Sequence, residues 1–318
     1  MCRLPHSRAH RLSASVLVTC VVAGCAQPLA FDGALAVTPY DVQPSGRIVV
    51  DIQVNDRGPF RFAIDTAATG SFVFSRTLDE LALESIPGIT ATVHGAVASG
   101  IFPVVRIDRI AIGRQVWADA LLVELPGDTD ATSTLDGILG ADFLERYSVG
   151  FAREEGLLRL YRPQTIANRN YRGWASVHLE PRIIGGTQEP LRYLDIEIAG
   201  RVVPALFDLG SGISVLNFPA ARSLRLGTMR TGQEAELSGA VGSEPLIGRL
   251  GSEDVQTDQI RWRNETFLIA DLEIFSTLET ADRPLAILGS GLFNQRDFII
   301  DFARNRLLIK ESMMEQND

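Results

Sequence analysis

Short runs of aliphatic and β-branched residues, separated by Gly, Asn and Asp, dominate the chain from Arg47 onward. Such runs predict strands, because branched side chains pack well on a pleated surface and the turn residues end it. The clearest predicted strands are Ile48–Val54, Val104–Ile107, Ala120–Val123 and Leu157–Tyr161. Helical periodicity is confined to short stretches near Arg76–Leu83, Ala141–Arg146 and Pro219–Leu224. The pattern therefore predicts an all-β protein with few, short helices.

Four sequence elements occur twice in the chain, in the same order. The matched segments are Phe62–Ser71 with Ala205–Ser214, His94–Ser99 with Ser238–Ser243, Gly137–Gly140 with Ala286–Gly289, and Phe151–Arg153 with Phe302–Arg304. Chance does not keep four matches in register, so the chain is an internal duplication. The repeat predicts two lobes, at 46–165 and 166–318.

The first repeated element places an Asp, Asp65 or Asp208, after an apolar strand and before a run of small residues. A single copy would be a turn Asp that caps its own backbone. Two copies in pseudo-symmetric lobes can bring two carboxylates together, and carboxylates about 3 Å apart share one proton. Such a pair can hold a water, with one acid taking its proton while the other protonates a carbonyl oxygen. The duplication therefore predicts peptide hydrolysis without a metal or a covalent intermediate.

Composition and charge exclude several other classes of function. The net charge is -9 and the body of the chain has no Lys/Arg cluster, which argues against a nucleic-acid partner. Only four histidines occur, two of them within the first ten residues, so a His-rich metal site is not expected. Neither a nucleophile-elbow motif with a plausible triad nor a phosphate-binding glycine loop is present. No cofactor is therefore expected.

The N-terminus has the pattern of a secretory signal peptide. Three arginines precede an apolar stretch from Leu12 to Val22, which ends in small residues. Its end, Val22-Ala23-Gly24-Cys25, resembles the lipobox of bacterial lipoproteins, in which the peptide is cut before a cysteine that receives lipid. We therefore expect a signal peptide at 1–24, lipid on Cys25, a flexible tether at 25–45 and attachment to the bacterial cell envelope, on its periplasmic or outer-membrane face. The alternative is a conventional signal cut near Ala30.

The repeated motifs also carry a resemblance to a known family. They are Asp-Thr-Ala-Ala at 65–68, Asp-Leu-Gly-Ser at 208–211, and Ile-Leu-Gly at 138–140 and 287–289. Through these motifs, roughly residues 46–312 resemble the pepsin/retropepsin clan of aspartic peptidases. Within that clan, the sequence is most similar in character to the bacterial retropepsin-like proteins. The resemblance implies two pseudo-symmetric, barrel-like lobes, a central cleft for a peptide or protein substrate, and Asp65 and Asp208 as the catalytic residues. It also implies a hairpin flap in each lobe, at His94 and Gly95 and at Ser238 and Gly239, and a monomer is expected.

The motifs depart from the family pattern at one position in each lobe. In the family each Asp is followed by Thr or Ser, which bonds across the lobes, and then by Gly. Here Thr66 is followed by Ala67, whereas Leu209 stands before Gly210, so the cross-lobe bonding is expected to be one-sided. The hydroxyl of Ser211 is expected to donate to Asp208 and favour its ionised form, so that Asp65 holds the proton and activity extends toward neutral pH.

The leading hypothesis is thus a lipid-anchored aspartic endopeptidase. The alternative is a catalytically impaired peptide- or partner-binding protein that keeps the two-lobed fold, because both acids persist while their supporting motif has changed. A role as a surface scaffold alone fits less well, since both acids stay in register.

Overall fold

The computed structural model describes residues 33–127, 129, 132–167, 171–183, 190–224, 228–229, 236–238, 240, 243–245, 248–257 and 259–311. Strands dominate, as the sequence pattern predicts. The strands of the first half are β1 (Ala34–Val42), β2 (Ile48–Val54), β3 (Arg57–Ile64), β4 (Phe72–Phe74), β5 (Ser85–His94), β6 (Ser99–Ile112), β7 (Gln115–Leu125), β8 (Gly137–Leu139), β9 (Ser148–Ala152) and β10 (Leu157–Tyr161). Its helices are α1 (Ser75–Leu81), α2 (Ala141–Leu144) and α3 (Pro163–Ala167).

The second half repeats this order with small changes. Its strands are β11 (Trp174–His178), β12 (Glu180–Arg182), β13 (Leu191–Ile198), β14 (Arg201–Asp208), β15 (Ser214–Leu216), β16 (Thr228–Met229), β17 (Glu236–Ser238), β18 (Ser243–Pro245), β19 (Gly248–Gln256), β20 (Arg261–Ile269), β21 (Ala286–Gly289), β22 (Phe298–Asp301) and β23 (Arg306–Lys310). Its helices are α4 (Phe218–Leu224), α5 (Glu273–Thr277), α6 (Ser290–Phe293) and a 3₁₀ turn at Phe302–Arg304. All four strands and all three helical stretches singled out in the sequence lie in or overlap elements of the predicted type.

Each half closes into a six-stranded barrel. In the first the order is β2-β3-β8-β4-β7-β6, and β6 pairs back with β2. In the second the order is β13-β14-β21-β15-β20-β19, and β19 pairs back with β13. Closure leaves no free sheet edge in the barrel wall, and the inward side chains fill each core. The all-β, two-lobed aspartic-peptidase fold predicted from the sequence is confirmed.

A six-stranded antiparallel sheet joins the two barrels, in the order β11-β23-β22-β9-β10-β1. Each half contributes three strands, and the join lies between β9 and β22, where Phe298 pairs with Phe151. Their rings stack with centroids 4.4 Å apart. The pseudo-twofold axis of the duplication therefore passes through a continuous sheet, which fixes the barrels relative to one another.

The prediction of a flexible tether is wrong for residues 34–42, which form β1. This strand pairs first with β10, from Ala34 to Pro39, and then with β2, from Tyr40 to Val42. Its inward positions alternate, with Ala36, Thr38 and Tyr40 buried. The pairing changes partner after Pro39, which is the last residue of β1 opposite β10.

Two other boundaries of the predicted organisation can be compared with the described residues. The lobe division between residues 165 and 166 falls inside α3. The predicted signal peptide, Cys25 and the rest of the tether up to residue 32 lie outside the described residues.

Candidate active site

The two repeated aspartates lie at corresponding strand ends of the two barrels. Asp65 follows β3 and Asp208 ends β14. Each of these strands runs parallel to the strand of the Ile-Leu-Gly motif, β3 to β8 and β14 to β21. The side chains are partly buried and face each other across the lobes, close enough for a hydrogen bond between the carboxyl groups. The duplication thus brings together the two acids that the sequence singled out.

Each carboxyl group is held by two backbone amides of its own loop. The N–H groups of Ala67 and Ala68 both donate to Oδ1 of Asp65, at 2.9 Å. The N–H groups of Gly210 and Ser211 donate to Oδ1 of Asp208, at 2.8 and 3.1 Å. Amide donors favour the ionised form of a carboxyl group and fix its orientation. The two loops therefore present their acids in matching geometry.

Gly210 lies directly against the opposite acid. A Cβ atom on Gly210 would be 2.2 Å from Cγ of Asp65, nearer than any real contact. Its counterpart Ala67 carries a Cβ, has a negative φ and packs against an apolar cluster of the second lobe. Glycine is thus required in one loop of the pair and dispensable in the other.

Thr66 makes the only bridge of its kind between the two loops in the described residues. Its hydroxyl donates to the carbonyl oxygen of Phe207 at 2.9 Å and accepts from the N–H of Leu209 at 3.0 Å. Thr66 is 1% exposed and the side chain of Leu209 is fully buried. This is the one-sided bonding that the sequence predicts.

Burial raises the pKa of both aspartates, because it removes water from the charged form. For Asp208 the charge of Asp65 adds to this effect and raises the pKa to about 8. For Asp65 the hydrogen bond from Asp208 works in the other direction and favours the ionised form. The two acids are therefore coupled, because the charge left on one acid makes the loss of a proton from the other harder.

The structure removes the hydrogen-bond donor on which the ionisation order expected from the sequence depends. That expectation depended on the hydroxyl of Ser211, which donates instead to the carbonyl oxygen of Ile213 at 2.7 Å. Only the backbone N–H of Ser211 reaches Asp208. Since Asp65 receives two amide bonds of its own, the second loop has no extra donor that would favour an ionised Asp208.

The first flap is the hairpin of β5 and β6, whose turn lies between His94 and Ser99. Its tip touches the second lobe: the N–H of Ile274 donates to the carbonyl oxygen of Ala96 at 3.2 Å. Val97 is 4% exposed and belongs to the apolar cluster of the second barrel. The flap of the first lobe therefore reaches across to the second.

Polar side chains of this flap also contact α5 rather than the two acids. Nδ1 of His94 is 3.1 Å from Oγ of Ser99, and the Ser99 hydroxyl donates to Glu273. Gly95 lies in the turn, where its N–H donates to Ala98. His94 and Gly95 thus lie at the tip of this hairpin, where His94 contacts Ser99 on the opposite strand.

The second flap candidate is described only in part. β17 and β18 form a short hairpin in which Ser238 pairs with Ser243. Ala240 packs against an apolar cluster of the first lobe. Gly239 lies outside the described residues. The described part mirrors the first flap, because each hairpin contacts the lobe opposite its own.

Two residues at this site were missed in the sequence. Arg47 donates from Nε to the carbonyl oxygen of Gly210 at 2.8 Å, and Glu273 binds the first flap. Each lies far along the chain from its partner, in a segment with no counterpart in the repeated motifs. A search for repeats therefore passes over both.

Two further features concern metals and membranes. Within the described ranges, no three His, Cys, Asp or Glu residues cluster in a way that would hold a metal ion. The helices of those ranges are all too short or too polar to cross a membrane.

Comparison with known families agrees with this geometry in the first lobe. Residues 50–143 match the family model described as aspartyl protease. The matched span includes Asp65, the first flap and the Ile-Leu-Gly strand, whereas Asp208 lies beyond it. No curated protein matches the chain. The match supports an aspartic peptidase family for a chain whose two barrels have the aspartic-peptidase fold.

Proposed function

We propose that this protein is an aspartic endopeptidase that uses Asp65 and Asp208 to hydrolyse peptide bonds in the cleft between its lobes. One observation carries the proposal: two partly buried carboxyl groups, one from each repeat, lie in matched amide cradles and close enough for a hydrogen bond between them. Such pairs are unusual outside active sites, because bringing two acids together out of water costs free energy unless a proton is shared.

The chemistry follows from the protonation of the pair. A water held between the acids gives a proton to ionised Asp65 as its oxygen attacks the carbonyl carbon of the peptide. Protonated Asp208 gives its proton to the carbonyl oxygen, which yields a neutral tetrahedral diol. On collapse, the C–N bond breaks, the nitrogen takes up a proton from Asp65, and Asp208 recovers one from the diol. The pair ends as it began, and no metal is involved in any step.

The flaps supply the cover for this reaction. A substrate in extended form would lie between the two acids and the hairpin tips, with water excluded around the reacting bond. Because Val97 and Ala96 contact the second lobe in the described state, the flap must lift to admit a peptide. The substrate class is therefore a peptide or an unfolded protein segment, which can be threaded under a hairpin.

The test is cleavage of a mixed peptide library by the purified full-length chain, followed by mass spectrometry. Asp65→Asn and Asp208→Asn should each reduce the rate at least 1000-fold, since either change removes a proton carrier that the mechanism needs. Asp51→Asn and Asp195→Asn are the matched controls, because both aspartates are exposed on barrel strands of the two lobes. Cleavage that survives in either dyad variant would disprove the proposal.

A second candidate is a peptide- or partner-binding protein without turnover. The observation that favours it is the replacement of the second cross-lobe hydroxyl by Leu209, which leaves one Thr to hold both loops. In the same experiment, peptides that bind and remain intact would select this function. Binding is measured by co-elution of the unmodified peptides with the chain.

We also propose that the protein is attached to the bacterial cell envelope by lipid on Cys25 and acts as a monomer. The support for the anchor is the Val-Ala-Gly-Cys sequence directly after the apolar leader. The support for a monomer is that both acids come from one chain. The mass of the mature N-terminal peptide tests the anchor, since an unmodified peptide starting near Ala30 would exclude it.

A further inference from the structure

Arg47 is connected to Asp208 through a single peptide group. Its Nε donates to the carbonyl oxygen of Gly210 at 2.8 Å. The N–H of the same peptide group is that of Ser211, which donates to Oδ1 of Asp208 at 3.1 Å. A peptide group whose oxygen accepts a charged donor is polarised, so that its N–H becomes a better donor. Arg47 thus acts on the acid through the backbone of the loop that holds it.

A tight turn that packs against the second lobe positions Arg47 next to the Asp208 loop. Within the turn, the backbone N–H of Gln43 donates a hydrogen bond of 2.9 Å to the carbonyl oxygen of Arg47. The carbonyl oxygen of Gly46 accepts from Oγ of Ser290 at 2.7 Å and from Nδ2 of Asn294 at 2.9 Å. The turn therefore crosses from the first lobe and is fastened to α6 of the second.

The close contact explains the sequence of this turn. Gly46 has a φ of +93°, and a Cβ atom there would lie 2.6 Å from the carbonyl oxygen of Gly212. Only glycine permits this backbone conformation so near the second Asp loop. The backbone directly before Arg47 is thus held against the second Asp loop.

The charge of Arg47 acts on both acids. It lowers the pKa of Asp65 and of Asp208, opposite to the effect of burial, and the two acids in turn oppose the loss of charge from Arg47. By strand register, Val49 in β2 corresponds to Tyr193 in β13, so the counterpart of Arg47 is the uncharged Leu191. Among the described residues, the cation at this position thus belongs to the first repeat alone.

We propose that Arg47 is a positioning residue that fixes the peptide group between Gly210 and Ser211 and favours the singly ionised state of the two acids. The inference rests on the proposed function, because a singly ionised pair is the form that activates water. A purely structural role for Arg47, as a tie between the lobes, would leave the protonation of the pair unchanged.

The experiment reads the protonation of the pair directly. The full-length chain is labelled with ¹³C at the aspartate carboxyl carbons, and the signals of the pair are assigned with Asp65→Asn and Asp208→Asn. In Arg47→Gln and Arg47→Met, the pair should acquire its first negative charge about one pH unit higher than in the wild type. Arg47→Lys keeps the charge and should titrate close to the wild type.

Arg61→Gln is the matched control. Arg61 lines the same groove as Arg47, but its guanidinium group pairs with Asp41 at 3.7 Å. This variant loses the same charge and should leave the titration of the pair unaltered. A titration in Arg47→Gln or Arg47→Met that equals that of the wild type would overturn the inference, and either variant suffices if the other does not fold.

The rate of peptide cleavage separates this inference from the proposed function. If the chain cleaves peptides, the acidic limb of its kcat/KM profile should move upward in Arg47→Gln by the same interval as the titration. If the wild type cleaves nothing while the titration still shifts, the proposed function fails and the role of Arg47 stands. An acidic limb that stays in place in an active Arg47→Gln variant would overturn the inference.

Discussion

The loops that carry Asp65 and Asp208 make the same amide hydrogen bonds to their acids, but each loop departs from the shared motif at a different position. The first keeps the hydroxyl of Thr66 and has Ala67 where glycine would stand, while the second keeps Gly210 and has Leu209 where a hydroxyl would stand. The amide bonds to the two acids are nearly the same in both. The comparison shows that the site needs one bridging hydroxyl and one glycine, and not one of each in both loops.

Each replacement gives the interface an apolar contact. Leu209 is fully buried, and burial of a Leu side chain stabilises by about 1.5 to 3 kcal/mol, against about 1 kcal/mol for an ordinary hydrogen bond. Ala67 packs against the apolar cluster of the second lobe. The asymmetry is thus compatible with a stable site, because the lost polar contact is offset by packing.

Apart from changes to the two acids themselves, the largest effect should follow from changing Ala67 or Gly210, the second residue after each Asp. In Gly210→Ala the new methyl group would meet the carboxyl group of Asp65, so the two acids must move apart. A displacement near 1 Å is expected to reduce kcat at least about 100-fold. Ala67→Gly, the same exchange reversed in the other loop, should change kcat less than about fivefold, because Ala67 touches an apolar cluster and not the opposite acid. Both are measured as steady-state cleavage rates.

Equal losses in these two variants would break the comparison. They would mean that the loops are functionally alike and that the close approach of Gly210 to Asp65 does not control the reaction. A circular-dichroism melting curve for each variant separates an altered site from a chain that has not folded.

A smaller effect should appear in the pH dependence of stability. The pKa of Asp208 is about 8 in the folded chain and about 3.9 when unfolded, so the folded state binds the shared proton more tightly. This contribution is fully present below pH about 4 and is lost as pH rises through about 8. The free energy of unfolding of the wild type should therefore fall across this window, relative to Asp208→Asn, by about 1.4 kcal/mol for each unit between the two pKa values. Urea unfolding at several pH values measures it.

The control is Asp51→Asn, which changes an exposed acid of the first barrel. Its unfolding free energy should keep the pH dependence of the wild type. A wild type whose profile runs parallel to that of Asp208→Asn would show that the pair holds no shared proton near neutral pH.

The sequence predicts those parts of the site that depend on a local pattern or on a motif present in both repeats. The barrel strands follow from local alternation, whereas both acids and the one-sided bonding of Thr66 follow from a motif that occurs twice, because the symmetry of the repeat brings its two copies together. The partner of the Ser211 hydroxyl does not, because Ile213 and Asp208 compete for it and only loop geometry decides. Arg47 depends on a turn fastened to the other lobe, and no periodicity in the sequence encodes that contact.

The sequence pattern did not predict β1, for a related reason. Its alternation of buried and exposed residues continues through Pro39, but the strand changes there from one partner to another. A strand that divides its pairing between two neighbours has too few residues in either pairing to stand out. Its position in the central sheet also means that truncation at residue 46 would remove an outer strand of that sheet, so cleavage assays require the full chain.

The smallest effect distinguishes the two hydroxyl groups that the loops retain. Thr66→Val keeps the shape of the side chain but removes the partner of Leu209 N–H and Phe207 C=O, both at a buried interface. Unpaired buried groups cost about 1 to 3 kcal/mol each before relaxation, so we expect a loss of about 2 kcal/mol in the free energy of unfolding. Ser211→Ala, whose hydroxyl bonds within its own exposed turn, should cost less than about 1 kcal/mol. Chemical denaturation of both variants at one pH measures the difference. Among the described residues, Thr66 alone joins the loops in this way. A loss no larger than that of Ser211→Ala would therefore mean that the packing of Leu209 holds the lobes together without it.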